Sequence, residues 1–448
     1  MATNLTKDNP LKLILVMSLP IMLGNLFQQM YSTVDAIIVG RYLGSGALAA
    51  VGSTAGVYSM IIWFVCGLSG GYAVILAQHF GAGEDDLLRS GVCIDIELSV
   101  GVTGIVTIVS LVFIDKLMSL MRLPEEIYGD TLTYLYVIIA GMMATMFYNL
   151  CASVLRAIGD SKTPFVFIIV SSVLNIVLDI LFIRAFAMGV FGAALATVIS
   201  QAVSGVLCAI HIYVKFDLFK FQSGDWRFDW TRAKKMLSYG IPSGLCGVTT
   251  AIGIMILQVA INTYGTTIIA GYTAAIKIQN FIEVPFNALC MTMINYEGQN
   301  LGAGRLDRMH KGFVQCMMVA FGLAIASSIL VMGWGRQLSS IFVDASATSA
   351  IEVIDFATKY IWYTGLFFIP FSILLIARST LQGMGFRSAP VMIGITESVL
   401  RIVATIYLIR NHSELILCFV SPVIWTSVAI MLVFMYVYWI KHLKKVLA

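Results

Sequence analysis

Residues 78–83 read QHFGAG, and residues 299–304 read QNLGAG, so one short motif returns 221 positions later in the chain. Two further matches follow in the same order at nearly the same offset: SLP at 18–20 with GIP at 240–242, and LRAIG at 155–159 with LQGMG at 381–385. Ordered matches at nearly one offset predict that the chain consists of two tandem copies of one unit.

The composition indicates where this repeat is located. The chain has 448 residues, of which 59% are hydrophobic and 12% charged, and its mean hydropathy is +0.90. A soluble domain carries about 25% charged residues. A helix needs about 20 mostly apolar residues to cross a bilayer, and apolar runs of that length recur along the whole chain. The sequence therefore predicts an all-α polytopic membrane protein.

Polar breaks divide the apolar sequence into twelve predicted spans, six in each copy. They lie near 12–39, 48–80, 91–114, 130–155, 163–184, 189–214, 236–262, 267–298, 311–334, 352–378, 388–409 and 414–440. We assign 1–214 to an N-lobe, 215–235 to an inter-lobe linker with an amphipathic helix on the membrane surface, and 236–448 to a C-lobe. An offset of six spans makes the repeat parallel, with its pseudo-two-fold axis along the membrane normal.

The positions of lysine and arginine predict the orientation, because cationic residues favour the cytoplasmic side. Most of them lie in the two terminal segments, the linker and the even-numbered loops. The odd-numbered loops contain Arg41, Lys116, Arg122, Arg184, Arg336 and Arg410. Both termini are therefore expected in the cytoplasm, which agrees with an even number of spans.

Carboxylates inside apolar spans are the first candidates for function, because a charge near the bilayer centre costs several kcal/mol. Asp35 lies in span 1 and Asp179 in span 5. Asn175 precedes Asp179 by one helical turn on the same face, and Thr197 lies among small residues of span 6. Together they can coordinate Na⁺ or hold a proton. The alternative is that both acids are satisfied structural polar groups.

The second copy carries different polar residues. Arg401 stands at the position equivalent to Asn175, and Thr405 at that of Asp179. Glu397 precedes Arg401 by four residues, the spacing of an intrahelical ion pair. We interpret this as a structural charge pair, with a second proton or substrate site as the alternative. Glu283 in span 8 is a candidate for attracting cations from the cleft between the lobes.

Pro20 lies within span 1, the span that carries Asp35. A proline removes one backbone hydrogen bond and permits a kink. Span 1 is therefore a candidate moving element whose bend depends on the state of Asp35. A static kink is the other interpretation.

The pattern resembles a known family at several motifs. Residues 34–52, VDAIIVGRYLGSGALAAVG, followed by AQHFGAG, are similar to the N-lobe signature of the multidrug and toxic compound extrusion (MATE) family. RAIGDSKTP and QGMGFRSAP resemble its paired loops. The resemblance covers nearly the whole chain. It implies a V-shaped fold of two lobes and antiport of organic cations or drugs against Na⁺ or H⁺.

The resemblance also suggests which members are most similar. Asp35, Asn175, Asp179 and Thr197 match the N-lobe cation site of the archaeal and DinF-like members. Further lobe-lining polar positions of that group resemble Tyr134 and Asn149. NorM-like members place coupling acids in spans 7 and 10, whereas span 7 here contains no acid, and Asp355 at the start of span 10 is peripheral. This departure favours coupling through the N-lobe.

Other classes of function are less consistent with the sequence. No Walker A motif is present, so the chain does not itself use ATP. The eight cysteines and five histidines show no metal-ligand spacing, and no nucleophile–base pair suggests an enzyme. A flippase for lipid-linked oligosaccharides, from the related wider superfamily, remains the alternative. We expect a monomer in the cell membrane that binds cationic or amphiphilic small molecules, no nucleic acid, and no cofactor besides the coupling ion.

Overall fold

The computed structural model describes residues 3–120, 123–343 and 349–446, so Arg122 of the predicted orientation lies outside the described residues. The described chain is helical. Its α-helices are α1 (Pro10–Ala82), α2 (Asp85–Leu120), α3 (Glu125–Ala140), α4 (Met142–Ala157), α5 (Lys162–Ile180), α6 (Gly189–Lys215), α7 (Trp230–Ile261), α8 (Thr266–Gly302), α9 (Leu306–Ser340), α10 (Ala350–Gly365), α11 (Phe368–Gly383), α12 (Ala389–Asn411) and α13 (Glu414–Val446).

These helices account for the twelve predicted spans. Eight of them, within the described ranges, are long and apolar enough to cross a membrane, and the bent pairs α3–α4 and α10–α11 raise the number to ten. The 73-residue α1 contains two spans that meet at Gly44, and the 37-residue α8 completes the set. The predicted all-α polytopic fold is confirmed.

Three breaks shape the spans, and two of them require glycine. Gly44 has φ 89° and ψ 177°, a conformation that costs a side-chain-bearing residue free energy but not glycine. The predicted turn between the first two spans is therefore reduced to one residue. Helices α3 and α4 meet at Gly141 with a bend of 45°, and α10 and α11 meet with a bend of 60°. Gly141 packs where any side chain would overlap Val198 of α6.

The chain forms two compact units, and a segment near the start of the chain belongs to the second of them. The first unit contains Leu19–Gly244, and the second contains Leu5–Ser18 together with the chain from Leu245 onward. Within the second unit the backbone N–H of Leu5 donates to Gln299 at 2.8 Å. The changes from one unit to the other fall beside Pro20 and Pro242, two positions that the sequence repeat pairs.

The predicted amphipathic helix of the linker is wrong. Between α6 and α7 the chain forms a 3-10 turn, Asp217–Phe219, and further hydrogen-bonded turns within 222–227, but no α-helix in this described segment. Aromatic contacts hold this segment instead: Phe219 packs on Phe216 and Phe221, and Phe221 packs on Trp226. Packing between rings close in sequence favours a compact loop over the extended face of an amphipathic helix.

Candidate functional site

Helix α5 places two polar side chains on its inner face. Asn175 and Asp179 are 2% and 0% exposed, whereas Val173 and Val177 on the same helix are 58% and 56% exposed. Residues four apart share a helix face, so the polar pair points inward while the valines lie on the apolar outer surface. A π-helical turn, Leu181–Ala185, begins directly after this pair. Such turns often occur at functional sites.

Helix α6 brings a hydroxyl to the amide on α5. The Nδ2 of Asn175 donates to Oγ1 of Thr197 at 3.4 Å, and Thr197 donates to the carbonyl of Ala193 at 3.2 Å. Ala193 and Ala196 are buried, and small residues of this kind allow two helices to approach closely. With its NH₂ group directed at Thr197, Asn175 leaves its Oδ1 free as an acceptor.

Helix α1 supplies the second carboxyl group. Asp35 and Asp179 are near enough to interact electrostatically with each other. Oδ1 of Asp35, both carboxylate oxygens of Asp179 and Oδ1 of Asn175 are buried and find no hydrogen-bond donor among the described residues. The structure thus brings all four predicted ion-coupling residues together. They present an acceptor-rich group of oxygens from α1, α5 and α6.

Tyrosines surround this group. The phenol of Tyr134, on α3, interacts electrostatically with Asp35 and Asp179, so this predicted residue lies at the site. Tyr31 on α1 also interacts with both acids and with Gln201 of α6. Neither Tyr31 nor Gln201 was predicted from the sequence to lie at the site. Helical spacing gives a signal for each, since Tyr31 precedes Asp35 by four residues and Gln201 follows Thr197 by four.

An apolar layer closes the site on the side of the odd-numbered loops. It consists of Ile38, Val39, Ala47, Ile183, Val190 and Ala193, with Tyr134 packed against it. Apolar packing excludes water and strengthens electrostatic interactions nearby. Tyr134 thus packs against the layer and interacts electrostatically with the acidic pair.

Two other predicted residues have different surroundings. Asn149 donates to the carbonyl of Thr145 on its own helix at 2.8 Å, and no contact with the acidic pair is found in the described chain. Pro20 is buried within α1, close to the point where that helix passes between the compact units.

The second unit carries its own cluster of charges, from which the predicted ion pair is missing. Glu397 accepts a hydrogen bond from Thr250 at 3.1 Å. No salt bridge joins it to Arg401 in the part of the chain that the structure describes, and Nε of Arg401 is buried without an acceptor. The stem of Arg401 lies over Gly253 of α7 instead. Four-residue spacing brought the two charges to one helix face, but neighbouring helices supplied other partners.

Arg378 completes this cluster, and the sequence analysis missed it. It lies in the apolar α11 and interacts electrostatically with both Glu283 and Glu397. Glu283 accepts a hydrogen bond from Gln279 at 2.9 Å. A lone arginine in the apolar run FSILLIARSTL was the available signal.

Comparisons with known proteins identify the family of the chain. The MatE family profile matches residues 20–181 and 242–407. The chain is 30% identical to "Probable multidrug resistance protein YpnP" of Bacillus subtilis, over 83% of this chain and 81% of that protein. It is 22% identical to "Multidrug export protein MepA" of Staphylococcus aureus, over 87% and 86%. A crystal structure of MATE in complex with MaL6 matches with a TM-score of 0.91 and 25% identity, over 99% of each chain.

Proposed function

Because the chain belongs to the MatE family of multi-pass multidrug efflux transporters, we propose that it exports organic cations and amphiphilic drugs in exchange for H⁺ or Na⁺. The carboxyl groups of Asp35 and Asp179 bind the coupling ion. The observation that carries this proposal is the set of buried oxygens without donors on Asp35, Asn175 and Asp179.

These oxygens favour a cation for an electrostatic reason. Two adjacent carboxylates in a dry site cannot both remain ionised without a compensating charge. A proton shared by the pair removes one negative charge. Na⁺ is a hard cation that prefers oxygen ligands, and the amide oxygen of Asn175 adds a neutral one. The residues present fit either ion.

Exchange follows if the ion and the cargo favour different states of the protein. An ion shifts a conformational equilibrium only by its difference in affinity for the two states. Binding at Asp35 and Asp179 removes negative charge from the site and thereby lowers its affinity for a cationic cargo. Asp35 lies on α1, and the missing N–H of Pro20 on the same helix permits a bend. Ion binding and the shape of α1 are coupled in this proposal, with Pro20 as the hinge.

The charge distribution completes the proposal. In this proposal the transporter is a monomer in the cell membrane. Both of its termini lie in the cytoplasm, because lysine and arginine concentrate at the ends, the linker and the even-numbered loops. The predicted division at 214 and 236 into an N-lobe, a linker and a C-lobe belongs to the same proposal.

Transport in proteoliposomes tests the coupling residues. Asp35→Asn and Asp179→Asn should each reduce gradient-driven efflux of a cationic dye by about tenfold or more, within the usual range of coupling free energies. Asp355→Asn is the matched control, because Asp355 is 55% exposed and pairs with Arg336 at 3.1 Å. Normal efflux by both site variants would overturn the proposal. Imposing first a Na⁺ gradient and then a pH gradient identifies the coupling ion.

A second candidate function is the translocation of an anionic amphiphile, such as a lipid-linked oligosaccharide. The observation in its favour is Arg401, whose Nε is buried and finds no acceptor among the described residues, with Arg378 in the same unit. Guanidinium groups bind phosphate oxygens well. Movement of a fluorescent pyrophosphate-linked lipid across the liposome bilayer, lost in Arg401→Gln and retained in Asp179→Asn, would favour this function over cation export.

A further inference from the structure

Glu297 of α8 is a buried acid that has no role in drug export coupled through Asp35 and Asp179. It is 0% exposed, and both of its carboxylate oxygens lack a hydrogen-bond donor in the described chain. Glu283 on the same helix differs, because Gln279 donates to it at 2.9 Å. Burying an isolated carboxylate costs far more than burying a neutral carboxylic acid. The geometry around Glu297 therefore favours a bound proton.

The helices packed around Glu297 supply no positive charge. Tyr296 is its neighbour on α8, Cys316 approaches from α9 and Tyr436 from α13, and all three interact with it electrostatically. On α11, the backbone at Gly383 lies so close that a Cβ there would come within 2.8 Å of the Glu297 Cβ. No lysine or arginine acts on Glu297 among the described residues. This carboxyl group thus lacks both a donor and a counter-ion.

A polar route links this region with the surface. The hydroxyl of Tyr436 and Nδ1 of His310 are 3.0 Å apart and share a hydrogen bond. His310 is exposed near the start of α9, beside the even-numbered loop that contains Gly304. Imidazole exchanges protons near neutral pH, and a phenol can both accept and donate a proton. His310 and Tyr436 therefore form a path along which a proton can approach Glu297.

The repeat provides a separate observation. Gly312 of α9 packs against Tyr296, and its partner 221 positions earlier, Gly91 of α2, packs against Leu76 of α1. Both glycines mark the same helix crossing in their units. Leu76 is the partner of Glu297 at this offset.

The acid at this crossing is carried by a different helix in the first unit. There α2 carries Asp95, whose partner at the same offset is Cys316. Asp95 is 0% exposed and accepts from Ser99 at 3.0 Å, while its Oδ2 finds no donor in the described residues. Each unit thus has one buried carboxyl group at this crossing, on opposite helices of the pair.

We propose that Glu297 is a second proton-binding site, located in the second compact unit and loaded through His310 and Tyr436 from the side of the even-numbered loops. The ligand is a proton rather than a metal ion, because the neighbouring residues provide no further acidic oxygen. Asp95 is its counterpart in the first unit. The site lies apart from Asp35 and Asp179, and the proposal does not depend on how those two acids are used.

Difference infrared spectroscopy in H₂O and D₂O tests the site directly. The protein is reconstituted in nanodiscs as the Asp35→Asn/Asp95→Asn/Asp179→Asn variant, so neither the N-lobe pair nor the first-unit counterpart of Glu297 can contribute. This background should show a protonated-carboxyl band that shifts in D₂O and is lost on adding Glu297→Gln. Glutamine has the shape of the protonated acid, so the fold should persist. Asp307→Asn, an exposed acid at the start of α9, is the control and should retain the band.

The proton route through His310 and Tyr436 is tested by the rate at which the Glu297 band exchanges with D₂O. His310→Gln should keep the Glu297 band but slow its exchange with D₂O severalfold, because the exposed proton relay is lost. An unchanged exchange rate would overturn the route through His310. A spectrum that Glu297→Gln leaves unaltered would overturn the site itself. Neither result bears on coupling by Asp35 and Asp179, which the efflux experiment tests separately.

Discussion

The acidic site of the first unit and its repeat-related region in the second have a tyrosine at equivalent positions but contain opposite charges next to it. Tyr134 of α3 and Tyr360 of α10 are 226 positions apart, and each interacts with the central polar group of its own unit. In the first unit that group is Asp35 and Asp179. In the second it is Arg401, which also interacts with Tyr272. The tyrosine is retained while the charge beside it changes sign.

The backbone has adapted to this exchange. The repeat pairs Tyr31 of α1 with Gly253 of α7. In the first unit the phenol of Tyr31 interacts electrostatically with the two acids. In the second, Gly253 leaves space for the stem of Arg401, whose Cδ would lie only 2.7 Å from an added Cβ. The first unit therefore presents buried carboxylate oxygens without donors among the described residues, whereas the second holds a cation attached to its own chain.

The largest expected effect tests this difference at two equivalent positions. Asp179→Asn should lower gradient-driven efflux by about tenfold or more, because it removes one of the two carboxyl groups that we propose bind the ion. Thr405→Asn alters the equivalent position in the second unit, where the chain carries a threonine in place of the acid, and should retain most of the efflux. Equal losses in both variants, measured in the same proteoliposome assay, would mean that the two units are functionally alike.

Much of this comparison could be predicted from the sequence. Apolar runs of sufficient length gave the spans, and the ordered motifs gave the repeat and the family resemblance, which the comparisons confirm. Asp35 and Asp179 were found because a carboxylate in an apolar run is costly. Their contact on neighbouring helices is shown only by the structure.

The remainder depended on contacts between segments far apart in the chain. The Glu397–Arg401 pair was a local inference from spacing, and Thr250 and Gly253, about 150 residues earlier, changed its outcome. Arg378, Tyr31 and Gln201 carry no motif, so their roles follow from which helices pack together. The linker helix was wrong because the packing of neighbouring aromatic rings does not appear in a hydrophobic periodicity.

The second prediction compares the two glycines at the helix crossings. In Gly312→Ala the new Cβ would lie 2.2 Å from the ring of Tyr296, which is fully buried and cannot move aside. Overpacking of this kind costs about 1–3 kcal/mol. In Gly91→Ala the nearest atom is the terminal Cδ2 of Leu76 at 3.0 Å, and the gain of about 1 kcal/mol in helix preference offsets the contact. Thermal unfolding in detergent should show a clear loss of stability for Gly312→Ala alone.

A smaller effect is expected at Gly253. In Gly253→Ala the contact is with the stem of Arg401, which can shift more easily than a buried ring. We expect a loss of about 1 kcal/mol or less after the gain in helix preference, measured by thermal unfolding. Gly52→Ala is the control, because no atom lies within 4 Å of its added Cβ. A loss as large as that of Gly312→Ala would show that the position of Arg401 is fixed more rigidly than its flexible stem suggests.

The smallest effect concerns the loops that contain the repeated GAG motif. In the second unit Arg305 donates to Asp307 at 3.2 Å, and this hydrogen bond holds the pKa of Asp307 below its usual range. A lowered pKa in the folded protein means that the pair stabilises above the ordinary carboxyl pKa and that this stability is lost as the pH falls through the lowered value. Because both side chains are at least half exposed, Asp307→Asn should lower the unfolding temperature by about 2 °C or less near neutral pH. The difference from wild type should disappear in acid.

Asp86 is the partner of Asp307, 221 positions earlier. It pairs with Arg89, which also contacts Asp225 at 3.4 Å. Arg89 therefore keeps an acidic partner in Asp86→Asn, and this variant should change stability even less. A larger loss for Asp86→Asn would reverse the expected order of the two loops.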